Sequence, residues 1–372
     1  MQRRLYRLSF ESGLHLSEGK NGTYDRSQPT LHSDTLKSAL FVAALQLYGE
    51  KANNAENGID IDFLESFNIS SAFPWMEYRG SILYFLPKPI GLFDDYELPS
   101  CLRPDEEKLL KKKLKGIKFL ETSLLKKVLK EGVKPLLSEN LFIVEGNAFL
   151  SVDEDKRGDF EQKFASEIQQ HVAIPRQVDR SRLTDEEKEN WPVDSTPYTV
   201  DKIYFRKNAG LYILAEAEKF IQLEAALALL SDSGLGTDKN NGAGTFTFVK
   251  TGLPLMLSKS SGKGKVQMNL SLYCPKPIEV SESSILRYQL VKRGGYIANP
   301  ASNEHLSIRK RSIYMFSEGS LFVFDESRIG QIANLRPADK PLIDSGVARI
   351  SHPIYRDGRS IFLSLDLTDN SI

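Results

Sequence analysis

Cysteine is nearly missing from this chain: 372 residues hold only two, Cys101 and Cys274. They lie far apart and form neither a CxxC pair nor a disulfide framework, so a reducing cytoplasm is the expected compartment. Histidine is scarce too. His15, His32, His171, His305 and His352 are scattered, and none pairs with another ligand type at metal spacing. That speaks against a zinc site, and neither a metal nor a cofactor is expected. Net charge is absent, because 49 basic residues balance 49 acidic ones. Overall electrostatics therefore give no reason to expect nucleic acid or a membrane; only local charge can supply one. Long apolar runs are missing as well. The longest, residues 39–45, falls far short of the roughly 20 residues a membrane helix needs. The basic start, Met1-Gln-Arg-Arg-Leu, leads into no apolar signal core, so a soluble, non-exported protein with no membrane partner is expected.

Enzyme signatures are equally thin. The chain has no Gly-x-Ser-x-Gly, no His-Glu-x-x-His and no Cys–His signature. What is present is an ordinary globular composition, 41% hydrophobic and 26% charged, in a chain long enough for two domains.

Residues 5–10 alternate apolar and polar, with Tyr6, Leu8 and Phe10 on one face, which predicts a half-buried strand. A loop rich in Gly, Ser and Asn follows. Ser33 then stands where it can cap a helix carrying Leu36, Ala39, Leu40, Ala43, Ala44 and Leu47, with Gly49 as its stop. Residues 73–89 read as a strand pair ended by prolines, and residues 105–134 as Lys-rich helices broken at Gly116 and Gly132. Residues 151–195 are polar and charged and read as an inserted arm. After them come two strand-like runs around the turn at residues 207–210, then an amphipathic helix over 216–230 with Gly234 past its end. Two strand–helix–strand outlines result. They predict an α+β protein of two ferredoxin-like (RRM-like) domains, at 1–150 and 198–372, joined by a protruding arm at 151–197.

Four segments have the residue types that contact phosphate. Gly234, Gly236, Gly242 and Gly244 space a loop that also holds Lys239, Asn240 and Asn241; such glycines let backbone amides approach an anion. The loop is neither a Walker loop nor GxGxxG, and a helix cap followed by a hairpin is the plainer reading. His32, Ser33 and Lys37 open the first helix, where an anion is favoured, unless they only cap and pack. Between Arg287 and Arg311, Arg287, Lys292, Arg293, Arg309, Lys310 and Arg311 face a single acid, Glu304, and Tyr288, Tyr296, Gly294 and Gly295 interleave. That pattern suits an RNA backbone with stacked bases, or a solvated strand face. Arg176, Arg180 and Arg182 form a fourth cluster, which either grips phosphate or pairs with Asp179 and Asp185.

These segments in order are Leu31-His-Ser-Asp-Thr-Leu-Lys-Ser-Ala-Leu40, Ala72-Phe-Pro, Tyr84-Phe-Leu-Pro-Lys-Pro89, Pro175-Arg-Gln-Val-Asp-Arg-Ser-Arg and Ala209-Gly-Leu-Tyr212. The glycine loop follows, then Tyr288-x-x-x-Lys-Arg-Gly-Gly295, Glu318-Gly-Ser320 and His352-Pro-Ile-Tyr-Arg-Asp-Gly358. Together they resemble the fourth Csm subunit of type III-A CRISPR interference complexes, a RAMP protein of the Cas five group. The resemblance implies two RRM-like domains, a glycine loop lying against RNA, and an arm corresponding to a protruding thumb. It implies a non-catalytic subunit that holds the repeat-derived 5′ handle of the crRNA. Its implied protein partners are the large polymerase-like subunit and the backbone subunit of the Csm-three type, with target RNA engaged indirectly. Asp238 departs from the usual loop and is expected to point outward, away from phosphate. The rival readings are a RAMP endoribonuclease with His32 or His15 as general base, the equivalent Cmr-type subunit, and a pure protein scaffold.

Overall fold

The computed structural model describes residues 1–16, 27, 30–50, 58–92, 103–132, 150–151, 164–173, 196–236, 238–258, 265–297, 308–324, 328–338, 350 and 352–365. The first strands are β1 (Gln2–Phe10), β2 (Phe67–Ile69), β3 (Phe73–Tyr78), β4 (Ser81–Pro87), β5 (Phe119–Glu121) and β6 (Leu150–Ser151). Next come β7 (Phe164–Ala173), β8 (Thr196–Phe205), β9 (Ala209–Ala217), β10 (Phe246–Thr251), β11 (Val266–Asn269) and β12 (Ile285–Arg287). The last are β13 (Leu290–Arg293), β14 (Ile313–Phe316), β15 (Leu321–Val323), β16 (Ile332–Asn334), β17 (Tyr355–Asp357) and β18 (Phe362–Leu365). The helices are α1 (Ser33–Tyr48), α2 (Ile61–Glu65), α3 (Pro104–Gly116), α4 (Thr122–Glu131), α5 (Ile221–Ser233) and α6 (Leu255–Ser258).

The principal sheet runs β10-β1-β9-β3-β4-β5-β6, and β2 shares the β9 edge with β3. Strand β9 is buried along nearly its whole length, because its residues face two cores. Neighbouring side chains on a strand point to opposite faces. Tyr6, Leu8, Leu211 and Ile213 therefore join Leu36, Leu40 and Ala43 of α1 and Leu223, Leu227 and Leu230 of α5. Leu5, Tyr212 and Leu214 join Leu124, Leu125 and Val128 of α4 with Met268 and Leu363 on the opposite side. Each buried Leu stabilises the fold by roughly 1.5–3 kcal/mol, so both faces contribute.

The mixed α+β fold is as expected, and its wiring explains the two outlines. The order β10-β1-β9-β2/β3, with α1 and α5 on one face, is that of a single βαββαβ unit. Its halves are separated in the chain by everything between β3 and β9. Strands from both sides of the polar arm thus share one sheet. The C-terminal stretch adds a four-stranded sheet, β12-β15-β11-β18, around Tyr273, Phe316, Phe322, Phe324 and Phe362.

Local details follow the residues. The β3–β4 hairpin turns on Arg79 and Gly80, both at positive φ, as a tight two-residue turn requires. Helix α1 ends at Gly49, as expected, but its cap residue is His32, and Ser33 is already helical. Helix α5 begins at Ile221, not Glu216, because β9 extends through Ala217 to pair with β1 and β2. In place of part of the arm stands a long ribbon: β7 and β8 pair over ten residues, from Phe164↔Phe205 to Ala173↔Thr196. Among the described residues, no helix is long and apolar enough to cross a membrane.

Candidate nucleic-acid interface

The glycine loop begins where α5 stops. Gly234 (φ 81°) ends the helix and donates its N–H to Leu230. The Leu235 N–H bonds the Gly244 carbonyl at 2.9 Å, and the Gly244 N–H bonds the Gly13 carbonyl at 3.0 Å. A Cβ at Gly244 would lie 1.9 Å from Leu235 O, one at Gly236 2.4 Å from His15 O, and one at Gly234 2.5 Å from Ala243 O. Three glycines are therefore needed for backbone to lie on backbone. Gly242 differs: at φ 76° it closes the single turn Lys239–Asn241 and has open space around it. Lys239, Asn240, Asn241 and Gly242 are exposed, whereas Gly234 and Gly244 are buried.

This corrects one detail of the sequence reading. The amides of Gly234, Gly242 and Gly244 are already bonded to Leu230, Lys239 and Gly13, so those glycines shape the loop rather than offer donors. The polar tip is left to Lys239, Asn240 and Asn241. Asp238 does not point outward either. Its carboxylate meets Lys202 of β8 at 2.7 Å and accepts from Asn241 Nδ2 at 2.5 Å. Burial works to raise its pKa, but Lys202 and Asn241 hold it below the ordinary carboxylate value. The ion pair fixes the loop to the root of the β7–β8 ribbon, where Ser166 and Ser27 also bond Asp201. On the same face as Lys202, the His171 and Tyr198 rings stack 5.4 Å apart.

The start of α1 is built in the opposite sense. His32 Nδ1 lies 2.8 Å from Glu318 Oε1, and the Ser71 hydroxyl bonds the same oxygen. The Ser33 N–H donates to Ser71 Oγ at 2.8 Å, and the Ser33 hydroxyl accepts the Leu272 N–H at 3.0 Å. Asp34 is fully buried. It receives a two-pronged contact from Arg293 (2.8 and 3.0 Å) and a further one from Arg356. Burial alone would raise its pKa; the two guanidinium groups hold it far below the carboxylate range. Lys37, 1% exposed, bonds Asp357 Oδ2 and the Arg359 carbonyl, each at 3.0 Å. Burial pushes its pKa down to about 8, with Asp357 opposing. Arg359 in turn reaches the carbonyls of Leu64, Glu65 (3.1 Å) and Phe67 (2.9 Å), capping the end of α2.

The expectation that His32, Ser33 and Lys37 meet a phosphate is therefore corrected. A helix N-terminus favours negative charge, and Asp34, in the first turn, supplies it from within the chain. Arg293, expected on RNA, faces inward to Asp34. Arg311 bonds the Asn334 carbonyl at 2.6 Å. Lys292 and Arg309 remain exposed, and Lys310 is half-buried. Arg176, Arg180 and Arg182 lie outside the described residues. His15, the other candidate base, is 1% exposed with Nδ1 2.6 Å from the Asp201 carbonyl.

Sequence reasoning missed Arg356, Asp357 and Arg359 as partners of α1, although the motif at residues 352–358 holds two of them. It also missed Lys202, which has no local signal and acquires its role only through Asp238. Among the described residues, no three His, Cys, Asp or Glu side chains cluster as metal ligands.

Known proteins are similar to this chain over nearly its whole length. Residues 262–365 match the family described as the CRISPR Csm4 C-terminal domain. The chain is 24% identical over 371 residues to a "CRISPR system Cms protein Csm4" of Mycobacterium tuberculosis, covering 98% of each. It is 26% identical over 384 residues to the protein of the same name from Methanocaldococcus jannaschii, covering 95% of this chain and 94% of that one. Its fold is similar to a crystal structure of a Csm3-Csm4 subcomplex of the type III-A interference complex, with TM-score 0.58, 18% identity, and 98% and 99% coverage. A Csm1-Csm4 cassette in complex with cA4 is also similar, with TM-score 0.52, 17% identity, and 99% and 100% coverage. The resemblance to the fourth Csm subunit read from the sequence is borne out.

Proposed function

We propose that this chain, similar to Csm4 proteins over nearly its whole length and matching the Csm4 C-terminal domain over residues 262–365, is a non-catalytic subunit of a type III-A CRISPR complex. It binds the repeat-derived 5′ handle of the crRNA and joins a Csm1-type large subunit to a Csm3-type backbone. The two protein neighbours come from the similar solved structures, a Csm3-Csm4 subcomplex and a Csm1-Csm4 cassette. Target RNA is met through the guide that the backbone carries.

The observation that carries the RNA assignment is the glycine loop. Three of its glycines are needed for backbone contact, and the result is a rigid base presenting Lys239, Asn240 and Asn241 to solvent beside the β7–β8 ribbon. A lysine and two carboxamides on a fixed turn suit phosphate neutralisation with polar contacts to base edges. The non-catalytic reading is supported by His15 and His32, each held by an internal partner, and by Asp34, enclosed by two arginines.

The test is reconstitution with Csm1-type and Csm3-type partners and repeat-derived RNA. Lys239→Ala with Gly242→Pro is expected to weaken guide retention, most at low salt and with a shallower salt dependence than the parent. Unchanged retention at several salt concentrations overturns the assignment. Cleavage of repeat RNA in chelator, lost in His32→Ala, would instead establish a nuclease.

A further inference from the structure

Strands β13 and β14 form a ribbon whose residues divide into two sets. Residues opposite one another in an antiparallel pair share a face, so Val291↔Met315 and Arg293↔Ile313 lie on one side and Lys292↔Tyr314 on the other. The first side is anchored. Met315 is 1% exposed and packs with Leu272 and Cys274, and Arg293 grips Asp34. Arg356 adds a bond from Nη2 to the Gly294 carbonyl at 2.7 Å. The second side packs inward at Phe316 and is open beyond it: Tyr314 is 61% exposed, with the Lys292 ammonium 6.0 Å from its ring centre. Past Gly294 and Gly295 the two chains meet again at Tyr296↔Arg309. Tyr296 is 54% exposed, and the Arg309 guanidinium stands 5.0 Å over its ring.

We propose that this ribbon is a second RNA-contact surface, where unpaired bases stack on Tyr314 and Tyr296 while Lys292 and Arg309 hold the adjoining phosphates. It rests on the RNA-binding reading above, and it adds a site separate from the glycine loop. Three features select a polyanion as the occupant. Residues 287–311 hold six Lys or Arg against the single acid Glu304. Both oxygens of Asp34 are engaged by Arg293 and Arg356, so the half-buried Lys310 shares an acid that two guanidinium groups already hold. Gly295, exposed at φ 115° with nothing within 4 Å of a Cβ, leaves room for a backbone to approach. Aromatic faces accept any base, so contact here is tolerant of sequence.

The test uses the full chain, alone and in the reconstituted complex, with a fluorescent single-stranded oligouridine RNA as probe. Tyr296→Ala with Tyr314→Ala is expected to weaken binding about thirtyfold or more, and the corresponding double Phe variant to restore it, because stacking needs the ring and not the hydroxyl. Lys292→Ala with Arg309→Ala is expected to lower the slope of log affinity against log salt by about one. Crosslinking of 4-thiouridine RNA to the unaltered chain is expected to label Tyr296 or Tyr314, which tests the site without relying on any variant's folding. Unchanged affinity in the Ala pair, with loss in Lys239→Ala, overturns the ribbon and leaves the glycine loop standing. Unchanged affinity in both overturns both. Loss of a protein subunit from the complex with RNA affinity intact makes the ribbon a protein-docking face and likewise overturns the proposal.

Discussion

The start of α1 and the glycine loop carry the same advertisement in sequence: small residues, a lysine and a helix end. Their structures are opposites. At α1 every expected donor is turned inward, and residues from the distant C-terminal stretch complete the site: Glu318 for His32, Asp357 for Lys37, and Arg293 and Arg356 for Asp34. At the loop the protein bonds the base and leaves the tip open. A helix N-terminus attracts whichever anion reaches it first, and here that anion is covalently part of the chain. Phosphate-binding potential is therefore decided by what else packs there.

The sharpest way to break this contrast is Asp34→Ala. It strands two arginines, Arg356 among them buried, and is expected to cost about 3–5 kcal/mol in urea unfolding. A loss below about 1 kcal/mol would mean the region is open to water and available to an outside anion. Next in size is a pair within the loop. Gly244→Ala places a Cβ against the Leu235 carbonyl at positive φ, so it combines about 1–2 kcal/mol of left-handed strain with a forced backbone shift. Gly242→Ala has the same strain without the clash and is expected to be the milder in the same assay.

The pH response of α1 gives a smaller and signed effect. Asp34 and Glu318 have folded pKa values below their ordinary ones, so the stability they contribute is present above about pH 4 and is lost as pH falls. For Glu318 the opposing influence is burial, outweighed by His32. His32 runs the other way. Burial lowers its pKa but Glu318 raises it further, so its contribution is full below about 6.5 and is lost as pH rises through the elevated value. Thermal midpoints across pH should show Asp34→Asn flattening the acid side and His32→Gln flattening the near-neutral side. An unchanged acid side in Asp34→Asn contradicts the buried pairing. The smallest stability effect is Lys239→Ala, expected within about 0.5 kcal/mol of the parent because the side chain is exposed, even as RNA retention falls.

Much of the fold was readable because burial imposes periods. Leu36, Leu40 and Ala43 mark α1, the β3–β4 pair falls where two strands ended by prolines are read, and α3 and α4 break near Gly116 and Gly132 as spaced. The limit of β9 was not readable, since Glu216 suits a helix start locally and is claimed by pairing to Arg3 and Asn68. The fate of Lys37 was hidden for the same reason: its partner, Asp357, lies at the other end of the chain. Asp238 looked hostile to phosphate only while Lys202 was out of view.

The sequence by itself determined where β1, α1 and the β3–β4 pair lie, where the glycines permit backbone to touch backbone, and that cations and aromatics gather between residues 287 and 311. Those are properties of short windows, governed by periodicity and conformational range. Tertiary structure alone decided which cations stay available. At the two contrasted sites Lys37 and Arg293 are neutralised by partners brought from far along the chain while Lys239 is left facing water, and only the closure of β1 onto β9 and β10, with the C-terminal stretch packed on α1, sorts one from the other.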